Sequence, residues 1–533
     1  MPHAPVCGGL QNLRHTPRDP DSSQKLLGRL WRSKWPFENP CDNSHTEATT
    51  TCIAMASLKN TVQITLAQVE KLLLEDKSVS VTLKLAIKAL IGLVHLMAGQ
   101  LGLKSNNSSI PPSQDPNRTK KPNKEPKKRG GQPGHKGSTL RPYDEPDETT
   151  ILSIDRRSLP RGNYQAVGFE RRQVVDIIIR RHVTEYAAEI LQDAMGNRFV
   201  ASFPEGVTRP IQYGSSVRAN AVFLSMGQLI PYDRVEMQFA DVYHIPVCAA
   251  SIVNFNHEAF DRLKPFEDLL KQQLIALAVA HADETGINVN GKRTWLHNVS
   301  NDMWTYFYPH EKRGTEAMVD GGVIPNFKGT LVHDHWRPYY TYECTHALCN
   351  AHHLRELIFA HEMEKQAWAL KMHTLLLDLN KAVIDAGGSL NALDATTWRQ
   401  RYRSILDAGD NECPPPAPKN DGTRGRTKRS KSRNLLERLR KFEDDTLRFM
   451  VDKRVPFTNN QGERDIRMTK VQQKISGSFR SMDGAKIFCR IRSYLSTCQK
   501  HDVGMAEALN LLFIGKWPTF IQEILNQQAA TAE

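Results

Sequence analysis

No two of the nine cysteines stand as a Cys-x-x-Cys pair, and their number is odd (Cys7, Cys41, Cys52, Cys248, Cys344, Cys349, Cys413, Cys489 and Cys498). A disulfide frame is therefore not expected; a reduced, cytoplasmic chain is. Residues 138–210 hold no cysteine at all, so a zinc ribbon cannot be built there. Long apolar runs are also missing. The most apolar helical stretch, residues 89–103, is too short to span a bilayer and is preceded by Lys84 and Lys88. No apolar secretory core opens the chain, so no membrane partner is expected. Acidic residues fall short of basic ones: 58 Asp and Glu against 71 Lys and Arg leave a formal net charge of +13. A polyanion is then the first partner to consider. With 533 residues, 40% of them hydrophobic, the chain can bury several domain cores.

Residues 1–54 mix Pro, Arg, Asn and Thr without periodicity and are expected to be a disordered leader. Met55 immediately precedes the first periodic segment, which suggests that it is the natural start or that the leader is dispensable. Over residues 55–104 apolar positions recur at helical steps: Val62, Leu66, Val69 and Leu73, then Leu83, Ile87, Leu90, Val94, Met97 and Leu101. Roughly three heptads suit a coiled coil between copies, or an amphipathic helix packed within its own subunit. Residues 105–137 read as a flexible basic linker. Its Lys120, Lys121, Lys127, Lys128 and Arg129 suit a phosphate backbone or a minor groove; the plain alternative is a solvated spacer. Residues 138–210 carry β-like runs at 172–179 and 188–191, which predicts a small β module. Residues 211–270 predict helices, with a turn at 243–246 resembling a helix-turn-helix, and hence a DNA-binding region. A helical insertion with a basic loop is expected over 373–454, and a tail over 516–533.

The stretch that organises the chain is His281-Ala282-Asp283-Glu284-Thr285-Gly286. The apolar run 274–282 suits a buried strand with Asp283 at its end, Asn290-Gly291 a tight hairpin, and 295–299 and 303–308 two returning strands. A carboxylate at the end of the most buried strand is costly unless paired or holding a cation, although a strand-end Asp can also merely cap its turn. A fourth strand, 329–334, ends in Asp334. Residues 458–465 have the chemistry of a helix start, with an Asn cap and Glu463 in the first turn. Further helices are expected at 314–319, 347–362, 365–386 and 435–452. Asp334 follows Asp283 by 51 residues, and Glu463 follows Asp334 by 129. Neighbouring strand ends bring two aspartates to one cation, and a helix packed on the sheet brings the glutamate across. Such hard oxygen ligands suit Mg²⁺ or Mn²⁺, two of which clamp the oxygens of an in-line phosphodiester displacement. Among 58 acids, spacing alone does not single out these three.

The ordered motifs do. His281-Ala282-Asp283-Glu284-Thr285, then His333-Asp334 with Tyr340 after it, Leu348-Cys349-Asn350-Ala351-His352-His353-Leu354-Arg355, and Asn459-Asn460-Gln461-Gly462-Glu463-Arg464-Asp465 resemble the transposases of insertion sequence family sixty-six. With Gly130-Gly131-Gln132-Pro133-Gly134-His135-Lys136-Gly137 upstream, the likeness runs over residues 58–515. It implies an α/β, ribonuclease-H-like catalytic domain over 271–372 and 455–515 with a helical insertion, preceded by the helical segment, basic linker and β module. It implies an Asp-Asp-Glu triad of Asp283, Asp334 and Glu463 around two divalent ions. The activity implied is metal-dependent cleavage at the ends of a mobile element and transfer of the 3′ ends into target DNA. Double-stranded DNA is the implied partner; a second copy of the chain, suggested by the heptads, and accessory proteins of the same element are further candidates. One departure matters: many relatives carry a cysteine-pair zinc module where 138–210 lacks ligands. An inert DNA-binding protein on the same scaffold, or a Mg²⁺-dependent nuclease without strand transfer, are the alternatives.

Arg464, Arg467, Lys470 and Lys474 follow Glu463 at helical spacing, as phosphate-holding residues or as an ordinary charged face. His346, Cys349 and His353 step by three and four, which puts them on one helical face beside Cys344 and His352. Zinc is not expected there, because zinc ligands usually come from separated segments. The alternative is that His352 or His353 faces the acidic site.

Overall fold

The structure, a computed structural model, describes residues 80–100, 103–108, 115, 140–416 and 429–532. The leader, the first half of the heptad pattern and the basic arm with Lys120, Lys121, Lys127, Lys128 and Arg129 lie outside the described residues. Two units are distinguished, 1–101 and 102–533. In the first, the second half of the heptad pattern is helical: α1 (Val81–Gln100), with Leu83, Leu85, Leu90 and Leu93 exposed along it.

In the second unit, the described residues 140–189 are irregular apart from one 3₁₀ turn, Arg156–Ser158. A hairpin then pairs β1 (Ile190–Gln192) with β2 (Arg198–Val200), closed by the Asp193 carboxylate, which accepts the N–H groups of Met195 and Asn197 at 2.9 Å. The β-like run 172–179 forms no strand, and Val174, Ile177 and Ile178 stand exposed. Alternating apolar residues favour extended backbone, but a strand exists only where a second one pairs with it.

Four helices follow: α2 (Ser215–Val222), prolonged by a π turn, α3 (Tyr232–Asp241), α4 (Ala249–Arg262) and α5 (Lys264–Ile275). The chain then enters a five-stranded mixed sheet of β3 (Val279–Val289), β4 (Lys292–Ser300), β5 (Thr305–His310), β6 (Thr330–His333) and β7 (Thr345–Leu348), in the order β5-β4-β3-β6-β7. β3, β4 and β5 are antiparallel; β6 and β7 run parallel to β3. The β3–β4 turn has the left-handed Asn290 (φ 49°) and Gly291 (φ 76°) that a type I′ hairpin requires.

Two expectations are corrected here. Residues 274–275 finish α5, because Phe266, Leu269, Leu270 and Leu274 form a buried helical stripe. The strand starts only at Val279, so Asp283 lies inside β3 and not at its end. Residues 347–348, expected in a helix, belong to β7, and α7 (Asn350–Glu364) starts after them. Gly329 lets β6 begin tight against β3: a Cβ there would run into the carbonyl oxygens of Leu277 and Ala278.

α6 (Thr315–Gly321) lies between β5 and β6, and beyond α7 come α8 (Ala367–Asp385), α9 (Ala392–Glu412), α10 (Lys431–Lys441) and α11 (Glu443–Leu447). These last four share a core with Trp368, Tyr402 and Leu436 at its centre. α12 (Asn460–Ser476) and α13 (Met482–Lys500) then return to the sheet, followed by α14 (Met505–Phe513) and α15 (Thr519–Ala532). α13 covers the sheet edge chemically as well as sterically: Ser493 Oγ accepts the N–H of Phe307 (2.8 Å) and Thr497 Oγ1 that of Thr305 (3.2 Å). Edge-strand donors that would invite another chain are thereby satisfied. Among the described residues, no helix is long and apolar enough to cross a membrane.

Candidate active site

Side chains alternate along β3, so His281, Asp283 and Thr285 share the face that α12 covers, while Ala282 and Glu284 point to the other. The parallel register of β3 on β6 pairs Val279 with Thr330 and His281 with Val332. Continued by two residues, it sets Asp283 beside Asp334, the first residue after β6. Asn459 holds the third element in position. Its Nδ2 donates to the Ala282 carbonyl (2.8 Å), its Oδ1 meets His281 Nδ1 (2.7 Å), and its backbone N–H donates to Cys349 Sγ (3.1 Å). The expected Asn cap is therefore corrected: the Asn459 side chain caps no N–H of α12 but pins that helix to the central strand. Asn298 Nδ2 adds a bond to the Gly462 carbonyl (3.3 Å), and Glu463 follows in the first turn.

Three acids from three elements thus share one electrostatic neighbourhood. Burial pushes the Asp283 carboxyl up to about 8 from the ordinary 3.8, and the charges of Glu284, Asp334 and Glu463 push the same way. The Glu284 N–H bonded to Asp283 Oδ1 (2.9 Å) opposes them. Glu463 Oε1 is buried without a hydrogen-bond partner. An all-oxygen donor set with uncompensated negative charge fits a hard divalent cation. Asp283, Asp334 and Glu463 are the residues that could hold it.

Glu284, on the opposite face of β3, is compensated differently. Its carboxylate receives Arg313 Nε (2.8 Å) and Nη2 (2.5 Å) on Oε1 and the Tyr339 hydroxyl (2.6 Å) on Oε2. The Arg313 guanidinium lies 4.1 Å over the Trp336 ring and 4.9 Å over that of Trp295. Burial and the Asp334 charge still hold Glu284 above the usual carboxylate range. Removing the arginine strands a charge whose side chain is 1% exposed. Arg313→Ala is expected to lose about 3 kcal/mol of stability, seen as a lower urea midpoint, with much of it restored in Arg313→Ala/Glu284→Gln. No gain in the double variant would show that the charge is not what the arginine compensates. Nothing in the sequence spacing pointed to this group; a second acid next to Asp283 was its only local sign.

The histidines do not share a helical face as expected. His346 is in β7, its Nδ1 3.1 Å from His333 Nε2; Cys349 precedes α7; and His353, inside α7, is turned into the core, where its Nδ1–H donates to Asn350 Oδ1 (3.1 Å). Burial lowers all three imidazoles. His352 faces the acids: burial and the Arg355 charge depress it, and the charges of Asp334 and Glu463 pull it back. The cations along α12, Arg464, Arg467, Lys470 and Lys474, are all exposed. Arg464 donates to Gln461 Oε1. Lys470 Nζ also donates to the Gly286 carbonyl of β3 (2.8 Å), which ties the helix down.

The family model described as Transposase IS66 family matches residues 210–487 of the chain. That span begins just before α2 and ends within α13, so it takes in the whole sheet and all three acids. No curated protein matches the sequence.

Proposed function

The chain belongs to the IS66 family of transposases, and from that premise we propose that it cuts DNA at the ends of its own element and joins the freed 3′ ends to target DNA. The observation that carries this reading is the Asp283 carboxyl, whose charge neighbours include Asp334 from the end of β6 and Glu463 from α12. Three antiparallel strands continued by two parallel ones, with the acids on the central strand, after its parallel neighbour and on a packed helix, support a ribonuclease-H-like catalytic domain.

Asp283, Asp334 and Glu463 would hold two Mg²⁺ or Mn²⁺ ions, which would supply Lewis-acid chemistry at the scissile phosphate. The chain's own work is positional. Asn459 fixes where α12 starts and so where the Glu463 carboxylate points. The Lys470 tie to Gly286 keeps that helix against β3. No side chain need act as nucleophile, because water or a DNA 3′-hydroxyl supplies the attacking oxygen. Arg467, one turn beyond Glu463, and Lys474 are exposed and hold phosphates of the bound strand.

Arg467→Ala is therefore expected to weaken DNA binding whatever the base sequence and to lower the salt slope of the affinity by about one unit. An unchanged slope in a filter-binding salt series removes the residue from the interface. The activity itself is tested by offering the full chain, with Mg²⁺, an element end already cut to expose its 3′-hydroxyl. Joining to a target duplex supports the transposase reading. Cleavage without joining marks a nuclease, and binding alone marks an inert relative of the family.

A further inference from the structure

Beside the two aspartates, two helix starts converge on one point. Cys349 is the residue before α7, and its thiol accepts the N–H of Asn459, the residue before α12. His352 follows three residues on, its backbone N–H bonded to the Cys349 carbonyl (3.1 Å). Glu463 sits in the first turn of the other helix, its N–H on the Asn459 carbonyl (3.2 Å). One sulfur, one imidazole nitrogen and one carboxylate oxygen from these residues all lie within 4.8 Å of one another. Glu463 Oε1 and His352 Nδ1 are both buried with no hydrogen-bond partner, and Cys349 is 1% exposed. Buried polar atoms are almost always paired, so two orphans in one small cluster mark a missing occupant.

We propose that Cys349, His352 and Glu463 form a three-ligand site for a borderline transition-metal ion of the zinc or cobalt kind. The objection raised by the sequence, that zinc ligands come from separated segments, is met once the third ligand is Glu463 on another helix. A thiolate and an imidazole discriminate against Mg²⁺, which prefers the oxygens of Asp283 and Asp334. Three protein ligands leave the fourth tetrahedral position open to water or a phosphate oxygen. The Asn459 side chain and backbone brace the arrangement, since the one residue bonds both the thiol and the central strand. Glu463 is common to this site and to the acidic one, so the two compete for it; that consequence rests on the function proposed above, whereas binding of the ion does not.

Titration of the reduced, metal-free full chain with Co²⁺ tests it. Saturation at about one cobalt per chain is expected, with a thiolate-to-cobalt charge-transfer band and the visible bands of a four-coordinate ion, all abolished by Zn²⁺. Cys349→Ser removes the charge-transfer band, and His352→Ala weakens cobalt binding by roughly tenfold or more. Cys344→Ser leaves both unchanged. No band in the parent chain, or a band of full strength in Cys349→Ser, overturns the site. Should circular dichroism show Cys349→Ser unfolded, His352→Ala decides alone, and unweakened binding there overturns it. Loss of DNA joining with an intact cobalt band, or the reverse, tells failure of the one reading from failure of the other.

Discussion

Asp283→Asn, Asp334→Asn and Glu463→Gln are each expected to reduce DNA cleavage by roughly a thousandfold or more while leaving binding to element ends largely intact. Each change keeps the size and hydrogen-bonding shape of the side chain and removes one anionic ligand. An amide in place of Asp283 still accepts the Glu284 N–H through its Oδ1, so the local strand geometry survives. What is lost is charge at the point where Asp334 and Glu463 already crowd that carboxyl. A thousandfold corresponds to about 4 kcal/mol of transition-state stabilisation, within what metal-held electrostatic catalysis delivers. Binding is spared because its contacts lie elsewhere, on exposed cations such as Arg467 and Lys474. The three variants should also fail alike and not add, since each disables the same ion pair. Any one of them retaining Mg²⁺-dependent cleavage removes its residue from the triad.

The contrast between what the sequence disclosed and what it hid follows from the range of the interactions. The Asn290-Gly291 hairpin and the strand 295–299 were legible because turn chemistry and alternation are local. The start of β3 was not: an unbroken apolar run suits a buried helix end as well as a strand, and here Leu274 completes the stripe on α5. β7 escaped because four residues, Thr345 to Leu348, are too few for a period, and its strand character comes from pairing with β6. Asp283, Asp334 and Glu463 were singled out by ordered motifs, yet their proximity depends on one parallel register and on Asn459, whose side chain reaches back 177 residues to Ala282. Asn459 looked like a helix cap because cap chemistry is also local; the tertiary partner won. The Lys470 tie to Gly286 was hidden for the same reason, since it spans 184 residues.

The second large effect concerns folding. A free Asp283 carboxyl titrates near 8 in the folded chain and near 3.8 when unfolded. The folded state therefore holds a proton that the unfolded chain has released, and metal-free stability falls as pH rises from about 4 to about 8, then levels off. A tenfold difference in proton affinity is equivalent to about 1.4 kcal/mol, and relaxation of the neighbouring acids absorbs part of the total, so a cost on the order of 3 kcal/mol at pH 8 is expected. Asp283→Asn carries no such titration. In EDTA the variant should be the more stable protein at pH 8, with the difference shrinking as pH is lowered toward 4. Added Mg²⁺ should reverse the order at pH 8, because a cation stabilises only the ionised carboxyl and so favours the parent chain. Urea unfolding of both proteins at pH 5 and pH 8, with EDTA and with Mg²⁺, reads all four quantities. Parallel pH slopes in EDTA would mean that the Asp283 carboxyl is already compensated by a partner other than a cation, and the acidic cluster would lose its claim to be a metal site before any DNA is added.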